Sequence, residues 1–486
     1  MSNEKQLIDT IKQDAIDFKN DEKYKERYEE YENMKQTLSD NLYSKNTHFI
    51  YELIQNAEDN NYHENVEPTL KFIITKNGIL TQNNEIGFNE ANIKSICKFS
   101  TSSKKGQKEL GYIGEKGLGF KSVFSISDKP SIYSNKYHFF FKEGEYTIPH
   151  WIENQALEFY PKEFHQDNST NIYLQFKKDF LYKDDIQKKI EDIEPIVLLF
   201  LTKLSNLQIF SNNKYLINVT KEQYQTFANF HKTTLKYNNT EDSYYIVKKV
   251  VKKPDYIIEG KRENILKREV ILAFPSFANT KNEDRIFSFL PTEMKTDLPF
   301  LIQSDFILIG NRENIIEDNR WNIWLLDELV DFFTEEFQHL KEVDKYQYLK
   351  YLDKQKSTHD FLDKYYQHIL EKLKNEKLFL SINGDFVVSS SICILQDYDF
   401  MYEFLDDINY TNAEGQRYTF VDKNFYVPKH LIKSWSMIVI DKNEFLRIMS
   451  EFPEHFANKF KKVHLLFEKL LDYIGEEISK HLIKLP

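Results

Sequence analysis

Glu52 and Asn56 stand four residues apart in the run ELIQNAEDN, and on a helix that spacing sets them on one face. Ile50, Leu53, Ile54 and Ala57 recur at helical spacing through the same stretch, with no Pro or Gly among them, so a helix is expected. A carboxylate and an amide beside an apolar stripe suit two tasks. The acid can activate a water, and the amide oxygen can ligate a hard cation such as Mg2+. A second stretch, GYIGEKGLGFKSVF, puts glycines at 111, 114, 117 and 119 ahead of the apolar residues Phe120, Val123, Phe124 and Ile126. Such glycines let backbone N–H groups turn toward an anion, and a helix opening just after them adds the positive end of its dipole. Lys116, between the glycines, can reach a phosphate as a point charge. Taken singly, each pattern is common: an acid and an amide on a helix are ordinarily solvated, and a glycine-rich loop is ordinarily a turn.

The elements around them are ordered. After the helix, Leu70, Phe72 and Ile74 alternate with Lys71, Ile73 and Thr75 as in a strand, and Asn77-Gly78 is a two-residue turn into a short strand at 79–82. NNEIGF follows at 83–88, then a helix over 92–99 burying Ile93, Ile96 and Cys97. The polar segment STSSKKG at 100–106 leads to the glycine loop, with a helix expected from 121 to 125. Strands are expected near 131–134, 137–141 and 169–176, separated by a polar insert over roughly 143–168.

This succession resembles the Bergerat ATP-binding fold of the superfamily of gyrase, large heat-shock chaperones, histidine kinases and MutL (GHKL). Within it, ELIQNAEDN, NNEIGF, SSK and GYIGEKGLGFKSVF are most similar to the sacsin and plant NO VEIN type of ATPase domain, over roughly the first two hundred residues. The resemblance implies ATP and Mg2+ as cofactors, with Asn56 as metal ligand and Glu52 as the base that activates the attacking water. It places Ser103 and Lys104 in the lid over the nucleotide, and Lys116 and the backbone of Gly114, Gly117, Leu118, Gly119 and Phe120 around the phosphates. Asp59, Asn83, Asn84, Glu85, Gly87 and Thr170 complete the nucleotide-binding set. Most of the superfamily has Asp-x-Gly-x-Gly where this chain has NNEIG, so Asn83 takes the position of the adenine-reading Asp and Glu85 that of a glycine. An amide oxygen accepts from an amine less strongly than a carboxylate does, which leaves open whether Asn83 reads adenine alone or with a water or Glu85. Thr170 takes the place of the family threonine, after Ser169 where a glycine is usual. Further on, LPTE at 290–293 and LPFLIQSDFILIGNRE at 298–313 resemble the signature of the transducer domain, which returns one basic residue to the γ-phosphate. Arg312 is that candidate, or else the partner of Glu313 or Glu317 in an ion pair.

Composition bounds the rest. At 486 residues the chain exceeds one core, and about two to four domains are expected. The resemblance and the order of elements imply an α+β architecture: an N-terminal helical segment at 1–46, the Bergerat-fold ATP-binding domain at 47–210, a transducer-like α/β domain at 211–318, and a mostly helical region at 319–486 with a short β segment near 378–390. The N-terminal segment carries Ile8, Ile11, Ala15 and Phe18 on one stripe, and in relatives of this fold such a segment reaches a second protomer. Net charge is −11, which argues against a chain-wide nucleic-acid surface without excluding a local basic groove. Cys97 and Cys393 are the only cysteines, so neither a disulfide framework nor a cysteine metal cluster is present and a reducing cytoplasm is expected. The start MSNEKQLIDTIKQ lacks an apolar core, and no run reaches membrane-spanning length. His231, His368 and His464 are isolated.

The function implied is a Mg-dependent ATPase that switches conformation, slowly without a partner, either as an ATP-dependent homodimer or in complex with an effector protein it gates. Bacterial relatives with this wording point to a defence or restriction setting. Two other readings stand beside it: a nucleotide-gated binding module that does not hydrolyse, and a MutL- or topoisomerase-like DNA machine. A histidine kinase would need a phospho-accepting His on a preceding helix, and the chain has none before His48.

Overall fold

In the computed structural model the turn at Asn77-Gly78 joins β1 (Thr69–Thr75) to β2 (Gly78–Asn83) as an antiparallel hairpin, with Thr75 paired to Gly78. A side chain could not replace the glycine there, because a Cβ would lie 2.4 Å from the Leu174 carbonyl oxygen. The structure describes residues 2–21, 23, 48–98, 119–153, 159–178, 183–211, 214–279, 284–309, 314–354, 360–395, 402, 405, 408–412, 414–462 and 468. Contacts divide the chain into two units, Met1–Lys295 with Leu301–Leu325, and Thr296–Phe300 with Leu326–Pro486.

The first unit is built on one mixed sheet. β3 (Ser131–Ser134), β4 (Tyr137–Lys142), β5 (Glu145–Trp151) and β6 (Thr170–Gln175) lie on one side of the hairpin. On the other side lie β7 (Asn206–Ser211), β8 (Lys214–Gln225), β9 (His231–Tyr237), β10 (Thr240–Lys252), β11 (Lys267–Pro275), β12 (Arg285–Ser288), β13 (Leu290–Lys295) and β14 (Leu301–Ser304). The order is β13-β12-β14-β11-β10-β9-β8-β7-β1-β2-β6-β3-β4-β5, with parallel pairing at β1–β7 and β12–β14. β7 and β8 pair directly, so the sheet runs on past residue 210.

Helices α1 (Asn3–Asn20), α2 (His48–Asp59), α3 (Glu90–Ile96) and α4 (Lys183–Glu191) belong to this unit. Phe49, Leu53, Ile54 and Ala57 of α2 join Leu70, Phe72 and Ile74 of β1, Ile93 of α3 and Ile186 of α4 in one core. Ile73, Leu80, Tyr133, Tyr160 and Tyr173 form a smaller one. Ile73 and Phe72 are both buried, so β1 is covered on both faces and its apolar run is nearly continuous. The N-terminal stripe is only partly used: Ile8 is buried, Phe18 is exposed, and α1 packs on β5 of its own chain, with Lys5 Nζ 2.6 Å from Glu153. Two local expectations are corrected. The segment after the glycine loop is a 3-10 helix, Gly119–Ser125, and the polar insert contains the strand β5.

In the second unit the aromatic rings of Phe300, Phe333, Phe337 and Tyr348 follow one another at centroid distances of 4.7, 5.2 and 5.4 Å. Phe333 lies on helix α5 (Arg320–Glu336), which enters this unit at Leu326, and α6 (Asp360–Leu373) follows. β15 (Phe379–Leu380) and β16 (Phe386–Val387) form a hairpin around Gly384. A four-stranded sheet of β17 (Ile392–Leu395), β18 (Tyr410–Thr411), β19 (Arg417–Phe420) and β20 (Ile438–Ile440) stands beside α7 (Lys429–Ser434), α8 (Lys442–Glu451) and α9 (Pro453–Lys462). The molecule is α+β, as expected, and among the described residues no helix is long and apolar enough to cross a membrane.

Candidate functional site

Glu52 and Asn56 lie on α2, both half-buried, while the intervening Leu53, Ile54 and Gln55 are buried. The helix is held at its far end by Glu58. This buried carboxylate accepts from Thr202 N at 2.6 Å, Thr202 Oγ1 at 2.7 Å, Lys203 N at 3.0 Å and Leu204 N at 2.8 Å. Lys203 Nζ in turn donates to Asn60 O at 2.8 Å. Charge-assisted bonds to three successive amides fix the end of α2 against the chain entering β7. Asp59 is the last residue of the helix and is buried. The other side of α2 packs on the 3-10 helix that opens with Gly119 and the buried Phe120.

Asn83 ends β2 directly opposite Thr170, which opens β6. Its amide is already engaged: Oδ1 accepts from Asn60 Nδ2 at 3.1 Å, and Nδ2 donates to Tyr62 OH at 2.8 Å and Thr69 O at 3.0 Å. Asn84 closes the turn by accepting from Thr69 N at 2.8 Å and donating to Glu67 O at 2.8 Å. Glu85 is buried, and Thr170 Oγ1 donates to its carboxylate at 2.6 Å. Since the threonine proton goes to Glu85, the 2.5 Å contact between Ser134 Oγ and Thr170 Oγ1 must be donated by Ser134, which accepts from Phe88 N at 2.8 Å. The result is a relay from a backbone amide through two hydroxyls to a carboxylate, each bond polarising the next.

Gly87 is required here twice over. Its φ is +90°, and a Cβ would stand 2.4 Å from the side chain of Asn135, which donates to Phe88 O at 3.2 Å. Gly87→Ala is therefore expected to lower stability by roughly 1–3 kcal/mol, read as a shifted urea midpoint with unchanged slope.

Lys121, just past the glycine loop, is buried. Its Nζ donates to Ile96 O at 2.7 Å, at the end of α3, and lies 4.1 Å from the centre of the Phe141 ring. Burial pushes its pKa down to about 8 and pushes the neighbouring Cys97 thiol up to about 12. Lys221, donating to Leu198 O and Leu201 O, is likewise pushed down to about 8 by burial. A lysine whose folded pKa is depressed holds fewer protons than the unfolded chain between about pH 8 and its ordinary 10.5. Stability is therefore expected to rise as pH climbs from 8 to 9. Beyond that, Cys97 and Cys393, raised by burial from an ordinary 9, oppose the trend. Melting temperatures at the two pH values check this, and Lys121→Met with Lys221→Met should flatten the rise.

The structure thus brings Asn83, Asn84, Glu85, Gly87 and Thr170 together, and sets α2 with Glu52, Asn56 and Asp59 against Gly119 and Phe120. Ser103, Lys104, Gly114, Lys116, Gly117, Leu118 and Arg312 lie outside the described residues. Asn60, Tyr62, Ser134 and Glu58 were not anticipated. Asn60 and Glu58 belong to ELIQNAEDN and could have been taken from it, whereas nothing in the sequence marks Tyr62 or Ser134.

Residues 27–194 match the model of the Sacsin domain. The chain is 35% identical over 326 residues to Protein NO VEIN of Arabidopsis thaliana, covering 62% of this chain and 11% of that protein. It is 28% identical over 225 residues to Chaperone protein HtpG of Rickettsia akari (strain Hartford), covering 38% of this chain and 35% of that one. It is 26% identical over 258 residues to the HtpG of Aliarcobacter butzleri (strain RM4018), again over 35% of the relative. The chain spans well under two thirds of each relative. The resemblance to the sacsin and NO VEIN type of GHKL protein, read from four short motifs, is borne out by these matches.

Proposed function

We propose that this chain binds Mg-ATP in a Bergerat-type site and hydrolyses it as a conformational switch. The observation that carries the reading is the hydroxyl relay ending on the buried Glu85 carboxylate, set beside a helix that presents an acid and an amide at Mg2+-ligating and water-activating spacing. Asn83 spends its amide on Asn60, Tyr62 and Thr69. Glu85 is therefore the acceptor for the adenine amino group, oriented by Thr170. Asn56 holds Mg2+ against the phosphates and Glu52 takes the proton of the attacking water. Nucleotide-driven rearrangement then acts on an associated effector or on a second copy of the chain, and a bacterial defence system is a fitting setting.

Titration of the native chain with Mg-ATP and Mg-GTP, with phosphate release followed in parallel, tests the reading. Tight ATP binding, a preference over GTP and slow turnover are expected. Glu85→Ala should lose roughly tenfold or more in ATP affinity, the worth of a charge-assisted hydrogen bond of about 1.5–3 kcal/mol. A native chain that fails to bind ATP overturns the assignment, and one that binds without turnover leaves the nucleotide-gated module.

A further inference from the structure

The loop from Asn84 to Phe88 carries Glu85 and is held at every second residue. Asn84 N donates to Thr69 O at 3.3 Å, Ile86 N to Asn61 O at 2.9 Å, and Phe88 N to the Ser134 hydroxyl at 2.8 Å. Asn135, the next residue along, donates to Phe88 O at 3.2 Å. Consecutive side chains where β3 turns into β4 thus grip both main-chain groups of Phe88. β3 lies against β6 with Tyr133 opposite Asn171, which sets Ser134 beside Thr170. Ser134, Thr170 and Glu85 are all buried.

The two ends of this chain of bonds fix the protons between them. A backbone N–H can only donate, and an ionised carboxylate can only accept. Ser134 therefore accepts from Phe88 N and gives its own proton to Thr170, and the Thr170 proton goes to Glu85. Neither hydroxyl keeps a proton for a ligand, and the carboxylate has none to give. An exocyclic amine is satisfied by such a group of acceptors. A 6-oxo group in the same place would set its lone pairs against those of Glu85 and Thr170, the kind of unpaired polar contact that rejects an analogue sharply. Ser134 acts on this end through Thr170: the threonine hydroxyl is held between two buried partners, and each bond polarises the next.

We propose that Ser134 is a positioning residue for base selection, which holds the Thr170 proton on Glu85 so that the site takes 6-amino purine nucleotides and refuses 6-oxo ones. This selection rests on the reading of Glu85 as acceptor for the adenine amino group, and it adds the residue that fixes the polarity of that acceptor. Without the Ser134 hydroxyl, Thr170 keeps one bond in place of two and can turn its proton to a ligand oxygen. A 6-oxo purine then finds both its partners, its N1–H donating to Glu85 and its oxygen accepting from Thr170.

Equilibrium titrations with Mg-ATP and Mg-ITP test this, since inosine differs from adenosine only by a 6-oxo group and an N1 proton in place of the amine. The native chain is expected to bind ATP roughly a hundredfold or more tighter than ITP. In Ser134→Ala the preference should shrink by roughly tenfold, the worth of one fixed hydrogen bond, with ITP affinity rising. Ser134→Thr, which keeps the hydroxyl, should restore the preference. Ser134→Cys, close in shape but a weak donor, should not. Thr170→Val should lose selectivity as well, and adding Ser134→Ala to it should change nothing further, because the serine acts through the threonine. Native-like circular dichroism of each variant separates changed selectivity from lost folding. Equal losses for both nucleotides in Ser134→Ala make the serine merely structural and overturn the proposal, as do an undiminished preference or effects that add to those of Thr170→Val. A native chain that binds ATP and ITP alike overturns it and leaves the nucleotide site standing, whereas one that binds neither removes the nucleotide reading too.

Discussion

Glu52→Ala is expected to bind Mg-ATP with native affinity and to lose turnover by about 10²–10⁴-fold, the ordinary contribution of a positioned general base. The argument is geometric. Glu52 is half-buried on the same face of α2 as Asn56, so if Asn56 holds a cation, a water beside it would come within reach of the carboxylate. The helix is not free to shift in compensation, because Glu58 pins its end to the amides of residues 202–204 and its flank packs on the 3-10 helix after the glycine loop. A loss confined to turnover assigns the interaction to the transition state, whereas a parallel loss of binding would make Glu52 part of the ground-state site. Asn56→Ala supplies the contrast: Mg2+-dependent affinity should fall there, while any Mg2+-free binding is retained. If Glu52→Ala turns over ATP at the native rate, another group activates the water and the base assignment fails.

What could be read in advance follows from how local each signal is. The helix bearing Glu52 and Asn56 declares itself because its apolar spacing lies wholly inside one twelve-residue element. The Asn77-Gly78 hairpin does so because the turn chemistry lies within the dipeptide. The role of Glu58 was hidden because its donors lie at 202–204, more than 140 positions away. Ser134 was hidden for the same reason, since its hydroxyl acts only when β3 is laid against β6 beside Thr170. β5 escaped because it contains Pro149, which argues against a central strand; the structure places it at the sheet's edge, where the missing N–H costs nothing. The segment at Gly119–Ser125 has the apolar residues of an α-helix but too few residues to close more than two turns, and it winds as 3-10. Asn83 held the motif position of the adenine reader, yet the motif could not show that Asn60 and Tyr62 would occupy its amide.

Asp305→Ala should cost roughly 3–5 kcal/mol of stability, because it strips a shared anion from two guanidinium groups that stay inside the protein. Arg262 meets the carboxylate bidentately at 2.6 and 3.0 Å, and Arg268 Nε adds a bond of 2.7 Å. The side chains of Arg262 and Asp305 are 5% and 10% exposed, so water cannot replace the lost partner. Trp321 stacks near both arginines, 5.2 Å from Arg262 and 6.0 Å from Arg268, and its Nε1 donates to the Asp305 carbonyl at 2.8 Å. The backbone leaving Asp305 is held further on by Asn322, which accepts from Ile307 N at 2.7 Å and donates to Ile307 O and Ile316 O at 2.8 and 2.9 Å. Loss of the carboxylate should therefore loosen both the cluster and the strand-like legs at Leu308 and Ile315 that it supports. Urea denaturation checks the size of the effect. The companion variant, with Arg262→Met, Arg268→Met and Asp305→Leu together, separates two origins of it. If the cost of Asp305→Ala is the stranded charge, the triple variant should recover most of the stability, since buried ion clusters exchange for packed apolar groups at little net change. If the triple variant stays as unstable as Asp305→Ala, the cluster contributes geometry that packing cannot supply, and Asp305 is then a determinant of the local backbone and not merely a counter-ion.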